Sequence, residues 1–309
     1  MKFIIDNVEY NLKEKQDLTW LKDYGEVFSC IDQTGSGCIN FGVKNKDKKY
    51  FIKIAGAKTL YAEISQEESI DLLKSATNNY KNVKHPNLIK LVDSFHKGEF
   101  FVAVYEWVDG ECLFDHWNFD KYEKNPNLIT PAQKFKALDL NKKLSVIDKL
   151  FTFFIAVKNA GYVAVDFYDS SIIYDFQTDE VYFCDIDLFR KMPTYNDLGT
   201  GYFGTKRLKA PEENEMGAVI DEITNQFTLG AIIFDMLSEN DEQNIKERYE
   251  KGHFIPPSIN NFILDKQCYD MLLKATNLDR NLRYKSIEEF YSQWKLLSIL
   301  NINKNFYQP

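Results

Sequence analysis

A change of pattern close to residue 109 is the feature that most constrains the fold of this chain. Before it, short apolar runs bounded by turn residues predict strands at residues 26–31, 39–44 and 99–108. After it, apolar residues recur every three or four positions and predict helices at residues 144–160, 223–238 and 266–276. The chain is therefore expected to be α+β, with a β-rich region that carries one main helix, followed by a mostly helical region.

The length of 309 residues predicts two packed domains or one large one, because single cores rarely grow beyond about 250–300 residues. Hydrophobic residues make up 44% of the chain, which is enough for a substantial core. We place the boundary next to Val108. Residues 1–108 then form the β-rich part, with an N-terminal extension over residues 1–25, and residues 109–309 form the helical part.

The charge and the cysteine content exclude several classes of protein. The net charge of −8 gives no general attraction to nucleic acid or to an anionic membrane. The five cysteines include no CxxC pair, which argues against a structural zinc site and against a disulfide framework. The first residues lack the apolar run of a signal peptide, and no apolar stretch is long enough to span a bilayer. These features predict a cytoplasmic protein that binds neither nucleic acid nor membrane.

Two features of the β-rich region suggest an anion-binding site. Gly35, Ser36 and Gly37 form a tight turn between two predicted strands, where backbone N–H groups can approach a phosphate. Lys53 lies in the middle of an apolar strand, where an unpaired ammonium is costly to bury. Each feature has a structural alternative, since hairpin turns need glycine and a strand lysine can face solvent.

Three carboxylates follow short strands in the helical region. Asp166 comes after the run Tyr-Val-Ala-Val, and Asp185 and Asp187 close another strand. Side chains at positions i and i+2 of a strand point the same way, so Asp185 and Asp187 suit a divalent cation. The alternative for a single aspartate in a loop is a turn or a helix cap.

The order and spacing of these residues resemble the protein kinase superfamily over almost the whole chain, in an atypical form similar to bacterial Ser/Thr kinases. The resemblance implies a bilobal fold, with a β-rich N-lobe and a helical C-lobe. It places Gly35–Gly37 above the phosphates of ATP and Lys53 on the α- and β-phosphates. It also places the backbone of Glu106 and Val108 at the adenine base.

In the C-lobe, the resemblance assigns the catalytic base to Asp166 and a metal ligand to Asp185, which lies 19 residues later. Residues 204–213, GTKRLKAPEE, resemble the end of the activation segment. The resemblance further implies that Glu212 in this segment pairs with Arg283. The implied cofactors are ATP and Mg²⁺ or Mn²⁺.

The chain departs from the family pattern at several positions around these residues. Val165 replaces the arginine before the catalytic aspartate, Tyr168 replaces a lysine, and Ser171 replaces a metal-binding asparagine. Asp187 replaces a glycine, and Asn40 replaces the third glycine of the phosphate loop. The hypothesis that follows is a metal set of Asp185, Ser171 and Asp187. Asp169 is a further oxygen donor in this hypothesis, and the alternative is that Asp187 faces solvent or caps a turn.

The N-lobe glutamate that pairs with the lysine in kinases is also displaced. Counting back from His85 places Ala76 at the expected position. Glu68 lies two turns earlier and is the candidate partner of Lys53. The alternative for Glu68 is an acidic helix start that stabilises the positive end of the helix dipole.

These observations predict an ATP-dependent Ser/Thr-type protein kinase. Tyr168, Ser171 and the missing arginine at Val165 favour a second hypothesis, a pseudokinase that binds nucleotide as a scaffold, whereas the intact Lys53, Asp166 and Asp185 oppose it. A third hypothesis is a small-molecule kinase of the same fold. No feature of the sequence identifies the substrate, the regulator or the oligomeric state.

Overall fold

The computed structural model of the chain describes residues 1–115, 118–239 and 242–306. Two compact units are present, one formed by residues 1–82 and 88–109 and the other by residues 83–87 and 110–309. The first is rich in strands and the second in helices, so the predicted α+β class is confirmed. The division of the chain into a β-rich part at residues 1–108 and a helical part at residues 109–309 stays a prediction.

The first unit consists of seven strands and one long helix in its described residues. Their bounds are β1 (Lys2–Ile5), β2 (Val8–Asn11), β3 (Glu26–Ile31), β4 (Cys38–Asn45), β5 (Lys48–Ala55), α1 (Gln66–Asn82), β6 (Leu91–Lys97) and β7 (Phe100–Glu106). Strands β3 to β7 form one antiparallel sheet in the order β3-β4-β5-β7-β6. Strands β1 and β2 form a hairpin, in which Asp6 and Asn7 both adopt positive φ angles.

The two faces of this sheet are covered differently. Ile52 and Ile54 of β5 are fully buried in a core shared with the β1–β2 hairpin. Helix α1 lies on the other face, where Tyr80 packs against Tyr105 of β7 at a ring distance of 4.9 Å. Lys53 lies between Ile52 and Ile54 in the sequence of β5. Because side chains alternate along a strand, Lys53 projects toward the opposite face of the sheet, which α1 covers.

The second unit is built around helices. Its elements are β8 (Glu111–Cys112), α2 (Phe119–Lys124), α3 (Pro131–Lys136), α4 (Leu140–Asn159), β9 (Tyr162–Val163), β10 (Ile172–Asp175), β11 (Glu180–Phe183), β12 (Arg190–Lys191), β13 (Thr194–Tyr195), β14 (Val219–Ile220), α5 (Glu222–Met236), α6 (Glu242–Lys251), α7 (Lys266–Ala275) and α8 (Ile287–Phe306). Among the residues that the structure describes, no helix is long and apolar enough to cross a lipid bilayer.

Helix α5 is the centre of the second unit. Asp221 caps its start by accepting hydrogen bonds from the N–H groups of Ile223 and Thr224. Its residues are buried almost all round, as expected for a helix that packs against α4, α7 and α8. In the terms of the resemblance, the catalytic loop contacts this helix through Ala164 and Asn225, and the activation segment contacts it through Arg207 and Asp235.

Residues 112–145, for which the sequence patterns predicted no helix before residue 144, contain more regular structure than expected. Helices α2 and α3 form there, and α4 begins four residues before the predicted start at residue 144. Thr130 and Gln133 form a capping box at the start of α3, followed by Pro131 at the first helical position. These local signals could have predicted the start of α3 from the sequence.

Candidate functional site

The catalytic loop, residues 164–171, is fixed to helix α5 through one side chain. Ala164 N–H donates to Asn225 Oδ1 at 2.8 Å, and Asn225 Nδ2 donates to the Ala164 carbonyl at 2.7 Å. Asn225 is buried, so these bonds are shielded from water. The sequence analysis missed Asn225, although a polar residue inside an apolar helix run is a usable signal.

Asp166 occupies an unusual position in this loop. Its φ of +59° lies in the left-handed region that non-glycine residues rarely adopt, and such strain concentrates at functional sites. Burial, and then the negative charge of Asp185, together raise the pKa of its carboxyl to about 7, and the positive charge of Lys209 limits this rise. A carboxyl group with a pKa near neutrality can accept and release a proton at physiological pH.

Tyr168 follows at the position where the resemblance expects a lysine. Burial, and then the negative charge of Asp166, raise the pKa of its phenol. The phenol is therefore neutral at physiological pH and adds no positive charge to the site.

The predicted metal residues lie on adjoining segments of the second unit. The Cys184 N–H donates to the Ser171 carbonyl at 2.9 Å, which places residue 171 opposite the residue before Asp185. Asp185 is exposed, Asp187 is half-buried, and Ile186 between them is fully buried. Asp185 also has a positive φ, of +54°.

Ser171 provides the test of whether these residues suit a metal ion. Its hydroxyl is fully buried and makes no hydrogen bond to the described residues, which is uncommon for a buried polar group. Within those residues, no cluster of three or more His, Cys, Asp or Glu side chains could hold a metal ion. The donor set of two carboxylates and a hydroxyl fits Mg²⁺, which proteins often bind through one or two carboxylates together with substrate phosphates.

The activation-segment anchor consists of Glu212 and Arg283. Arg283 donates to both carboxylate oxygens of Glu212, at 2.6 and 2.9 Å, and both side chains are buried. Burial alone would raise the pKa of Glu212, but the hydrogen bonds and charge of Arg283 outweigh it and lower the pKa. The bidentate geometry makes this a strong and specific contact.

Arg207 forms a second buried network that the sequence analysis did not foresee. It pairs with Asp169 and, at 3.0 Å, with Asp235, which also binds Arg248 at 2.7 Å. The hypothesis that Asp169 ligates the metal stays a prediction, and the contact of its carboxylate with Arg207 argues against it. The sequence signal for Asp235 was its position as a single aspartate within the apolar run of α5.

In the first unit, the glycines of the predicted phosphate loop are packed against residues 63–69. A Cβ atom on Gly37, whose φ is +69°, would lie 3.1 Å from the side chain of Ser69. A Cβ atom on Gly35 would lie 3.3 Å from the carboxyl group of Glu63. Ser36 between them is exposed. The positive φ of Gly37 and its close approach to Ser69 therefore give this glycine a structural reason. This reason differs from the hairpin turn of the sequence alternative, and the role of residues 35–37 at the phosphates stays a prediction.

Glu68 takes part in a capping box at the start of α1. Its carboxylate accepts from the Ser65 N–H at 2.8 Å, and its own N–H donates to Ser65 Oγ at 3.2 Å. These contacts favour the alternative of an acidic helix start, and the pairing of Glu68 with Lys53 stays a prediction. Ala76, where the family's glutamate was expected, is fully buried on the same helix.

The segment proposed to bind adenine follows β7. The Glu106 N–H donates to the Lys90 carbonyl at 2.9 Å, and the Glu106 carboxylate pairs with the Lys90 ammonium at 2.8 Å. Val108 is half-buried just beyond the strand. Asp109 is held by Lys49 at 2.7 Å and by the Trp107 indole at 3.0 Å, so the chain leaves β7 in a defined path.

The chain is similar to several serine/threonine-protein kinases. No protein-family model matches it. A probable serine/threonine-protein kinase KIN1 homolog of Enterocytozoon bieneusi is 27% identical over 240 residues, which cover 72% of this chain and 35% of that protein. The serine/threonine-protein kinases Sgk1 of Gallus gallus and Homo sapiens are each 23% identical over 194 residues, covering 63% of this chain and 40% of theirs. The chain thus spans at most about two fifths of the length of these relatives.

Proposed function

Since this chain is related to the protein kinase superfamily, we propose that it is an atypical ATP-dependent Ser/Thr-type protein kinase. It transfers the γ-phosphate of ATP to a hydroxyl group of a protein. The observation that carries this proposal is Asp166, whose carboxyl has a pKa of about 7 and lies in a loop tied to α5 by Asn225. This is the property required of a group that takes the proton of an acceptor hydroxyl.

In the proposed reaction, the acceptor hydroxyl gives its proton to the carboxylate of Asp166. The acceptor oxygen bonds to the γ-phosphorus while the bond from that phosphorus to the ADP oxygen breaks. Lys53 binds the α- and β-phosphates. The backbone of Gly35–Gly37 lies near the phosphates, and the backbone of Glu106 and Val108 binds adenine.

A bound Mg²⁺ or Mn²⁺ ion neutralises charge on the phosphates when it is present. Asp185 would hold this ion, together with Asp187 and the hydroxyl of Ser171. The unpaired buried hydroxyl of Ser171 supports this assignment, because a ligand would offset the cost of burying it.

Incubation of the purified protein with γ-labelled ATP and Mg²⁺ or Mn²⁺ tests the proposal. We expect label transfer to the chain itself or to a generic protein substrate. Asp166→Asn should lower the transfer rate by about 100-fold or more, because removal of a general base typically costs 10²–10⁴-fold. Asp120→Asn is the matched control, since the side chain of Asp120 is 88% exposed. Equal transfer by wild type and Asp166→Asn would contradict the proposal.

A nucleotide-binding scaffold without transfer is the second candidate function. It is favoured by the neutral phenol of Tyr168 and by the packing of Gly37 against Ser69. In that case ATP would raise the melting temperature of the protein, Lys53→Met would abolish this shift, and no label would be transferred. Transfer to a small hydroxyl compound, with none to protein, would instead identify a small-molecule kinase.

A further inference from the structure

The proposed reaction needs a positive charge that the catalytic loop does not provide. Negative charge is spread over the phosphoryl oxygens as the group moves, and catalysis depends on its neutralisation. The neutral side chain of Tyr168 cannot supply this charge. The following inference rests on the proposed kinase function.

Lys209 lies beside the catalytic aspartate, in the residues that resemble the end of the activation segment. It lines a small cavity together with Asp166, Phe167, Thr205 and Glu213. The Lys209 side chain is only 4% exposed, and its Nζ donates to the Tyr202 carbonyl. The ammonium group is thus drawn into the site rather than extended into solvent.

Gly204 gives Lys209 the space for this path. A Cβ atom on Gly204 would lie 3.3 Å from Lys209 Cε, and the φ of Gly204 is +112°. A side chain at residue 204 would therefore both strain the backbone and displace the lysine.

The charge of Lys209 is not cancelled by an ion pair. Among the described residues, no carboxylate oxygen lies within 4 Å of its Nζ. Glu213 is nearby, but burial raises the pKa of its carboxyl to about 8, and its Oε2 accepts from the Ala210 N–H at 2.8 Å. Burial lowers the pKa of Lys209, so the folded protein keeps this ammonium at a cost. An anion that enters the site would offset that cost.

We infer that Lys209 is a catalytic residue that replaces the missing catalytic-loop lysine and places its ammonium against the phosphoryl group during transfer. It keeps all its protons in the reaction. The acceptor proton goes to Asp166, the new bond forms between the acceptor oxygen and the γ-phosphorus, and ADP leaves. The alternative is a purely structural lysine that holds the Tyr202 carbonyl.

Three variants separate these two roles. Lys209→Met keeps the length of the side chain and removes its charge. It should lower kcat by about 100-fold and leave the KM for ATP within about threefold, because the lost interaction acts mainly in the transition state. Lys209→Arg keeps the charge and should retain more activity than Lys209→Met. Lys246→Met is the matched control, since the side chain of Lys246 on α6 is 70% exposed, and it should keep wild-type activity.

The decisive experiment restores the positive charge at residue 168. The double variant Tyr168→Lys/Lys209→Met should recover at least tenfold of the lost kcat, with a melting temperature no higher than that of Lys209→Met. A structural lysine predicts no rescue by Tyr168→Lys, and either that result or a kcat of Lys209→Met within twofold of wild type would overturn the inference. If the wild type transfers no phosphate, the proposed function fails and the inference fails with it. If the wild type is active and only the rescue is absent, the proposed function stands and the inference alone is rejected.

Discussion

The activation-segment anchor and the catalytic loop belong to the same unit, and their polar groups are paired to very different degrees. In the anchor, Glu212 and Arg283 satisfy each other through two hydrogen bonds. In the catalytic loop, the pKa of Asp166 is strongly raised, and the Ser171 hydroxyl has no hydrogen-bond partner among the described residues. Beside the loop, Lys209 forms no ion pair with a described residue. The difference indicates that the anchor serves stability, whereas the loop carries costs that a function would explain.

The largest expected effect tests the anchor. Arg283→Met should lower the free energy of unfolding by about 3–5 kcal/mol, because it leaves the Glu212 carboxylate buried without its partner. Urea unfolding measures this loss. The double variant Arg283→Met/Glu212→Gln should be less destabilised than Arg283→Met alone. A loss below about 1 kcal/mol in the single variant would remove the contrast with the catalytic loop.

A substitution in the catalytic loop is expected to change the free energy of unfolding in the opposite direction. Asp166→Asn should raise the free energy of unfolding by about 1–2 kcal/mol at pH 8 in EDTA. The reason is that the folded-state pKa of about 7 exceeds the ordinary value of 3.8, so the ionised carboxyl destabilises the fold fully above pH 7 and not at all below pH 3.8. Unfolding of wild type and variant at pH 8 and pH 4 measures the difference. A variant less stable than wild type at pH 8 would show that Asp166 is a structural residue.

His85 is a residue whose packing stabilises the fold, as the anchor does, and its substitution should have a smaller effect. Burial lowers the pKa of its imidazole to about 4, and the ring packs against Phe153 and Phe183. Because the unfolded chain takes up a proton near pH 6.5, the stability contributed by neutral His85 is complete above that pH and is lost as pH falls toward 4. Between pH 7.5 and 5.0, the wild type should lose about 1 kcal/mol more unfolding free energy than His85→Gln. Parallel pH profiles for the two proteins would refute this role.

The smallest expected effect concerns the metal site. Asp187→Gly should weaken Mg²⁺-dependent ATP binding by about two- to fivefold, the range expected for loss of one partly exposed charge. Isothermal titration with and without Mg²⁺ measures it, and binding without metal serves as the control. Unchanged affinity in the presence of Mg²⁺ would return Asp187 to the alternative of a solvent-facing or capping residue.

The sequence predicted the elements whose signals are local. The periodicity of residues 144–160 and 223–238 corresponds to α4 and α5, and the strands predicted at residues 26–31 and 39–44 correspond to β3 and β4. The sequence analysis missed the contacts that depend on distant segments. The bonds of Asn225 to Ala164 and the position of Lys209 beside Asp166 follow from how loops lie on α5, which no local pattern encodes.

Residues placed by resemblance fall between these two groups. Arg283 and Glu212, 71 residues apart, were predicted from motifs alone, and they lie in direct contact. Glu68 was proposed by counting along α1; its carboxylate caps that helix, and its pairing with Lys53 stays a prediction. Motif matching predicted the contact for which both partners retain the family's residue types.

The amide of Asn225 has a consequence for how the site responds to its surroundings. One uncharged group donates to the Ala164 carbonyl and accepts from the Ala164 N–H, a combination that a carboxylate cannot supply. The start of the loop is therefore held in place by contacts that neither titrate nor weaken in concentrated electrolyte. Any sensitivity of the reaction to acidity or ionic strength would then arise from charged groups, such as those around the substrate and the Asp169–Arg207 pair, and not from movement of the loop at Ala164.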